Sequence, residues 1–280
     1  MIFNIPSNTL PFSLILGIQT NTPEKINIIA FDAMQQKTIY VNRNAEIKGY
    51  REFELKFPQT PHNMVLSITN EKFGNLAQSQ VDKTFQVKKF EVKELKTCPL
   101  WMDDDIRNFV EFAKWFCGNA SVLSAGDMQP SIYRSDNGKF CIDYYNKIRS
   151  KETGEFVGTP ARIGHNTGVI EISKVDFLKY SVPMRMIIIL HEFSHKYMNP
   201  KLNRDIGDEV SADINALNIY LSLGYPSIEA QYAFLNVFRD ANNIMNKRRY
   251  LILNDFMKKF NNGELENNCA INYPLANKSR

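Results

Sequence analysis

An α+β protein is expected from three observations. Residues 1–97 hold short runs of β-forming residues, one of them with clean period-2 alternation. Longer helical patterns dominate the rest, with a few strand-like segments among them. The change falls near Cys98-Pro99. The expected architecture is a small β-sandwich-like N-terminal domain over residues 1–97, then a second domain of helices and a few strands over 98–260, then a polar tail over 261–280.

Composition sets the frame. The 280 residues suffice for one large or two smaller domains, and 44% hydrophobic with 23% charged residues is ordinary globular usage. The net charge of +4 is mild. Its one local basic stretch, 83–96, reads as a solvated strand face, so no nucleic-acid partner is expected. Cysteines stand at 98, 117, 141 and 269 with no C-x-x-C pair, which predicts reduced thiols and no disulfide framework. The apolar patch 12–18 has no basic segment before it, so no cleaved signal peptide is expected. No apolar run approaches the ~20 residues that span a bilayer. Neither a membrane partner nor a transmembrane segment is therefore expected. The expected location is the cytoplasm, or a particle assembled inside a cell.

In the first part, strands are expected over 26–31, 38–41, 53–57, 64–69 and 85–95. Phe53, Leu55 and Phe57 alternate onto one face. Thr22-Pro23-Glu24, Asn42-Arg43-Asn44 and residues 58–61 read as turns between them. His62 reads as a surface residue in a Pro-flanked loop.

In the second part, Asp103, Asp104 and Asp105 supply acidic residues for a helix N-terminus. Ile106, Phe109, Val110, Phe112, Ala113 and Phe116 follow helical spacing, and Gly118 can stop the helix. Residues 131–134 and 139–148 read as strands around an Asn137-Gly138 turn. Residues 167–173 form another strand candidate. Ser181 can cap the next helix, Pro183 is tolerated in its first turn, and Asn199-Pro200 should end it. Further helices are expected over 208–223, from Ser227 onward, and over 242–260.

The most informative stretch is His191-Glu192-Phe193-Ser194-His195, an H-E-x-x-H motif within the second of these helices. Residues four apart share a helix face, so both imidazoles can point at one metal ion, and Glu192 can reach a water beside it. A catalytic zinc takes three protein ligands and leaves a position open. The next helix carries Glu209 and Asp213, again four apart. Packed against the first helix, Glu209 can supply the third ligand, and Asp213 can accept the ring N–H of a liganded His, with His191 the favoured partner. Asp205 and Asp208 are the competing third ligands.

This combination resembles the zincin metallopeptidases, specifically the gluzincin or thermolysin-like type: His191-Glu192-Phe193-Ser194-His195 followed by Glu209-Val210-Ser211-Ala212-Asp213. The resemblance implies one Zn2+ per chain held by His191, His195 and Glu209, with Glu192 as general base and Asp213 supporting a histidine. It implies a substrate-aligning edge strand, placed by position at 167–173, and a transition-state stabiliser for which Tyr225, Tyr197 and His165 are the candidates. The implied function is a zinc-dependent hydrolase of peptide bonds acting on a peptide or protein substrate. Residues 1–97 would dock a protein partner. The rival reading is a structural or docking component of a larger assembly, for example a phage virion protein, built on the same fold with a retained zinc site.

Overall fold

The computed structural model describes residues 1–72, 83–98, 102–164, 166–197, 208–239 and 244–265. The protein is α+β. It divides into two compact units, Met1–Lys96 and Thr97–Arg280.

The first unit is one antiparallel sheet of five strands: β1 (Ile2–Ile5), β2 (Phe12–Asp32), β3 (Ile39–Phe57), β4 (Met64–Asn70) and β5 (Phe85–Lys93). β2 and β3 are much longer than the runs the sequence suggests. β3 pairs with β2 along its length, β5 joins the first half of β2, and β4 joins the second half with β1 outside it. Thr22-Pro23-Glu24 and Asn42-Arg43-Asn44, expected as turns, lie inside these strands. Asn42, Arg43 and Asn44 pair with Ile29, Ile28 and Asn27. The pairing shifts between Thr20↔Gly49 and Glu24↔Ile47, so Pro23 falls in a bulge, where its missing N–H breaks no ladder bond. Gly49 sits opposite with φ +77°, a conformation that favours glycine. Leu14, Leu16, Ile18, Ile26, Ile28 and Ala30 all point inward at even positions of β2 and are fully buried.

The second unit pairs a mixed four-stranded sheet with helices. Its strands are β6 (Ser131–Arg134), β7 (Cys141–Tyr145), β8 (Ala161–Ile163) and β9 (Ile170–Ser173), in the order β6-β7-β9-β8. β7 and β9 are parallel and the other pairs antiparallel. Gly138 (φ +70°) makes the turn between β6 and β7. The expected edge strand is corrected here. β9, which holds most of 167–173, is interior, because β8 folds back beside it, and the edges are β6 and β8.

The helices among the described residues are α1 (Asp104–Asn119), α2 (Lys174–Phe177), α3 (Val182–Lys196), α4 (Asp208–Ser222), α5 (Ser227–Arg239) and α6 (Ile244–Asn261). Asp103 caps α1 by accepting from the Ile106 N–H at 2.7 Å. Gly118 does not stop α1, which runs on to Asn119. Phe109 of α1 stacks on Phe193 of α3 at 3.8 Å, and Phe116 meets Tyr144 of β7 edge-on.

Every residue of α3 from Val182 to Leu190 is buried, as befits a helix apolar nearly all round. Its one charge there, Arg185, donates to the carbonyls of Phe177, Leu178 and Cys117, satisfying groups at the ends of α2 and α1. Ser181 precedes α3 but makes no side-chain cap; its hydroxyl donates to Glu229 of α5 instead. Asn199, Pro200 and Asp205 lie outside the described residues, as does the tail beyond 265.

Candidate metal centre

α3 changes character at its C-terminal end. After the buried run, His191 and His195 come round on one face toward α4, where Glu209 and Asp213 occupy the first two turns. The facing helices are fixed by Asn215 of α4, whose amide donates to Ser194 Oγ at 3.0 Å and to the Tyr197 carbonyl at 3.1 Å. That second bond also satisfies a carbonyl at the end of α3.

Three donor groups converge. His191 Nε2 and His195 Nε2 are 3.1 Å apart. Glu209 places Oε2 3.5 Å from His191 Nε2 and Oε1 3.6 Å from His195 Nε2. Three donors around a tetrahedral zinc at ~2.0–2.1 Å stand about 3.3 Å from one another, and these separations are close to that, with a different Glu209 oxygen turned to each ring. Among the described residues it is the group of His, Cys, Asp and Glu side chains able to hold an ion.

The surroundings fit a cation as well. His191 Nδ1 lies 2.8 Å from Asp213 Oδ1, bent away from a straight hydrogen bond. This contact favours a hydrogen on Nδ1 and a lone pair on Nε2. His195 Nε2, 3.1 Å away, can meet that lone pair by donating its own N–H, or in its other tautomer both lone pairs can face one cation. Burial pulls the His191 ring toward its neutral form. Asp213, then Glu192 and Glu209, outweigh burial and hold its pKa above the usual 6.5. The site therefore favours positive charge, and the donor set of two imidazoles and a carboxylate suits zinc.

Asp213 is fully buried and Glu209 half-exposed. Both are joined by a residue that the sequence reading missed. Arg249 of α6 donates to Asp213 Oδ2 through Nε at 3.0 Å and Nη2 at 2.8 Å, and Nη2 lies 3.1 Å from Glu209 Oε2. No spacing rule connects residue 249 to residue 213; only the fold does.

The centre opens onto a small pocket of about 110 Å³. Glu192, His191, Glu209, Asp213 and Arg249 form its polar wall, while Ile187, Ile188, Ala161, Ala233 and Phe234 form most of the apolar wall. Thr159, Pro160 and Ala161 bring the edge strand β8 to the rim.

The candidates for a transition-state stabiliser fare differently. Tyr225 is buried past the far end of α4, stacked on Tyr220 at 4.7 Å, so the fold does not bring it to the pocket. Tyr197 follows α3 and stacks on Phe193 at 4.5 Å with Phe140 against its edge. Burial, then Asp105, raises its pKa, and it is absent from the pocket lining. His165 lies outside the described residues. His62, in the first unit, is exposed.

Comparison with known proteins finds no matching protein-family model, no matching curated protein and no matching solved structure.

Proposed function

We propose that the chain is a zinc-dependent metallopeptidase. The observation that carries this reading is the convergence of His191, His195 and Glu209, with His191, Glu209 and the adjacent Glu192 on the wall of one pocket. When bound, zinc supplies Lewis acidity toward a carbonyl oxygen and acidifies water.

The chain's own residues would do the rest. Glu192 follows the first ligand directly and lines the pocket, in position to take a proton from the attacking water and return it to the leaving amine. Asp213 keeps His191 oriented, and Asn215 keeps α4 in register with α3. Among the described residues β8 pairs only with β9, and Ala161 lines the pocket. An extended peptide could therefore lie along β8 as an added strand. The apolar wall excludes water from part of the pocket and offers surface to a substrate side chain.

One observation favours the rival reading. The unit Met1–Lys96 is compact and separate, as a docking element in a larger assembly would be. Under that reading zinc would serve stability, and nothing would require the carboxylate of Glu192.

Glu192→Gln separates the two. It preserves shape, so zinc content and melting temperature should stay near wild type. Peptide hydrolysis should fall ~10²–10⁴-fold, the usual cost of losing a general base. The assay compares the processed proteins in cells or particles carrying either form. Normal assembly with unchanged processing of every protein would favour the structural reading.

A further inference from the structure

We infer that Arg249 is a positioning residue for the metal centre, and that through it the docking of α6 and the loading of the metal are thermodynamically linked. The inference rests on the proposal that His191, His195 and Glu209 hold zinc.

Glu209 is the exposed member of the ligand set, at the first turn of α4, on a side chain with three rotatable bonds. The two histidines are held within the body of α3, whereas a half-exposed glutamate can turn to solvent. Arg249 Nη2 meets Glu209 Oε2 at 3.1 Å while Oε1 faces His195. The same guanidinium grips buried Asp213, which stands against His191. One side chain thus reaches both the third ligand and the support of the first. Its positive charge alone would oppose a cation. The three carboxylates of Glu192, Glu209 and Asp213 outnumber it, so the centre stays anionic with Arg249 in place.

α6 reaches α5 through Asn254 to Gln231 and Asn261 to Ser227, and it buries few of its described side chains. Of its described side chains only Leu253 and Met257 are buried, and Leu251 is two-thirds exposed. The Arg249 contacts with Asp213 and Glu209 tie the N-terminal half of this helix to α4. Metal loading fixes Glu209, which gives Arg249 an ordered partner and steadies α6. By reciprocity, a docked α6 holds Glu209 in the ligand position and tightens metal binding. Arg249 does this without touching the metal, as outer groups around metal ligands commonly do.

The test uses the full chain with zinc alone as probe. Zinc affinity is measured by chelator competition for wild type, Arg249→Met and Arg249→Lys. Amide hydrogen exchange across 244–261 is followed with and without zinc. Wild type should bind zinc, and zinc should slow exchange in α6. Arg249→Met should bind zinc roughly 10–100-fold more weakly, the usual cost of losing an outer-shell partner, and zinc should no longer change α6 exchange. Arg249→Lys keeps the charge but has one contact point, so it should recover part of the affinity; this keeps the test decisive if Arg249→Met fails to fold. A general loss of stability would not produce that graded rescue or remove the zinc response of α6 alone. Wild-type affinity in both variants, or zinc-independent α6 exchange in wild type, would overturn the inference. A wild-type chain that binds no zinc would overturn the metal centre itself, and the inference with it.

Discussion

Among the carboxylates that each unit buries, Glu24 of the first and Asp213 of the second are used in opposite ways. Glu24 in the first unit accepts from the Asn70 amide at 2.8 Å and the Thr22 hydroxyl at 2.7 Å, with Lys72 at 3.1 Å. Its partners are local to the β2 bulge and the neighbouring end of β4, and they close the site on itself. Asp213 in the second unit is held by His191 and Arg249, and both of these reach onward to the pocket. A buried charge satisfied by groups with no further reach is architecture. A buried charge whose partners present their remaining faces to open space can orient chemistry.

The comparison breaks first at Asp213. Asp213→Ala removes one partner of a buried ionic network and leaves Arg249 and His191 without it, which should cost about 3–5 kcal/mol of unfolding free energy. It should also weaken zinc binding. Denaturant titration with and without zinc checks both. A loss under about 1 kcal/mol would mean that Asp213 is merely another buried polar group.

The next effect is the response to pH, where the units should differ in sign. In the chelated protein His191 has a raised pKa, so its stabilisation is fully present below about 6.5 and is lost as pH rises through the higher folded value. Zinc reverses this, because the bound ring must be deprotonated, so the loaded protein should gain stability over the same range. Glu24 has a lowered pKa, set mainly by Asn70 and Thr22. Its contribution is present above about 4.5 and is lost as pH falls through the lower folded value. Melting temperatures with chelator and with zinc from pH 3 to 9 should show the acid-side loss in both and the alkaline-side loss only with chelator.

The smallest expected effect is Glu24→Gln. It keeps most of the local hydrogen-bonding shape, so it should cost about 1 kcal/mol and leave zinc affinity unchanged. A shift in zinc affinity would end the contrast between the two carboxylates.

Much of this was legible in the sequence because it is written in short spacings. The pairs His191/His195 and Glu209/Asp213 each lie four apart, and helical geometry alone puts each pair on one face. Asn137-Gly138 announces the β6–β7 turn, and the alternation that includes Leu55 and Phe57 announces the buried face at the end of β3. What was illegible depends on partners distant in the chain. Pro23 and Asn42-Arg43-Asn44 look like turns in isolation, yet β2 and β3 run through them because each strand supplies the other's ladder. The edge position of β8 follows from where it folds back, which the strand residues do not encode. Arg249 joins Asp213 across 36 positions, and no periodicity marks such a pair.

The central claim is that His191, His195 and Glu209 form a metal centre, and metal content tests it most directly. Elemental analysis of protein purified without added metal, repeated after incubation with zinc and removal of excess, should give one zinc per chain. His195→Ala should give almost none. A wild-type content well below one that added zinc cannot raise, or a His195→Ala content equal to wild type, would contradict the account.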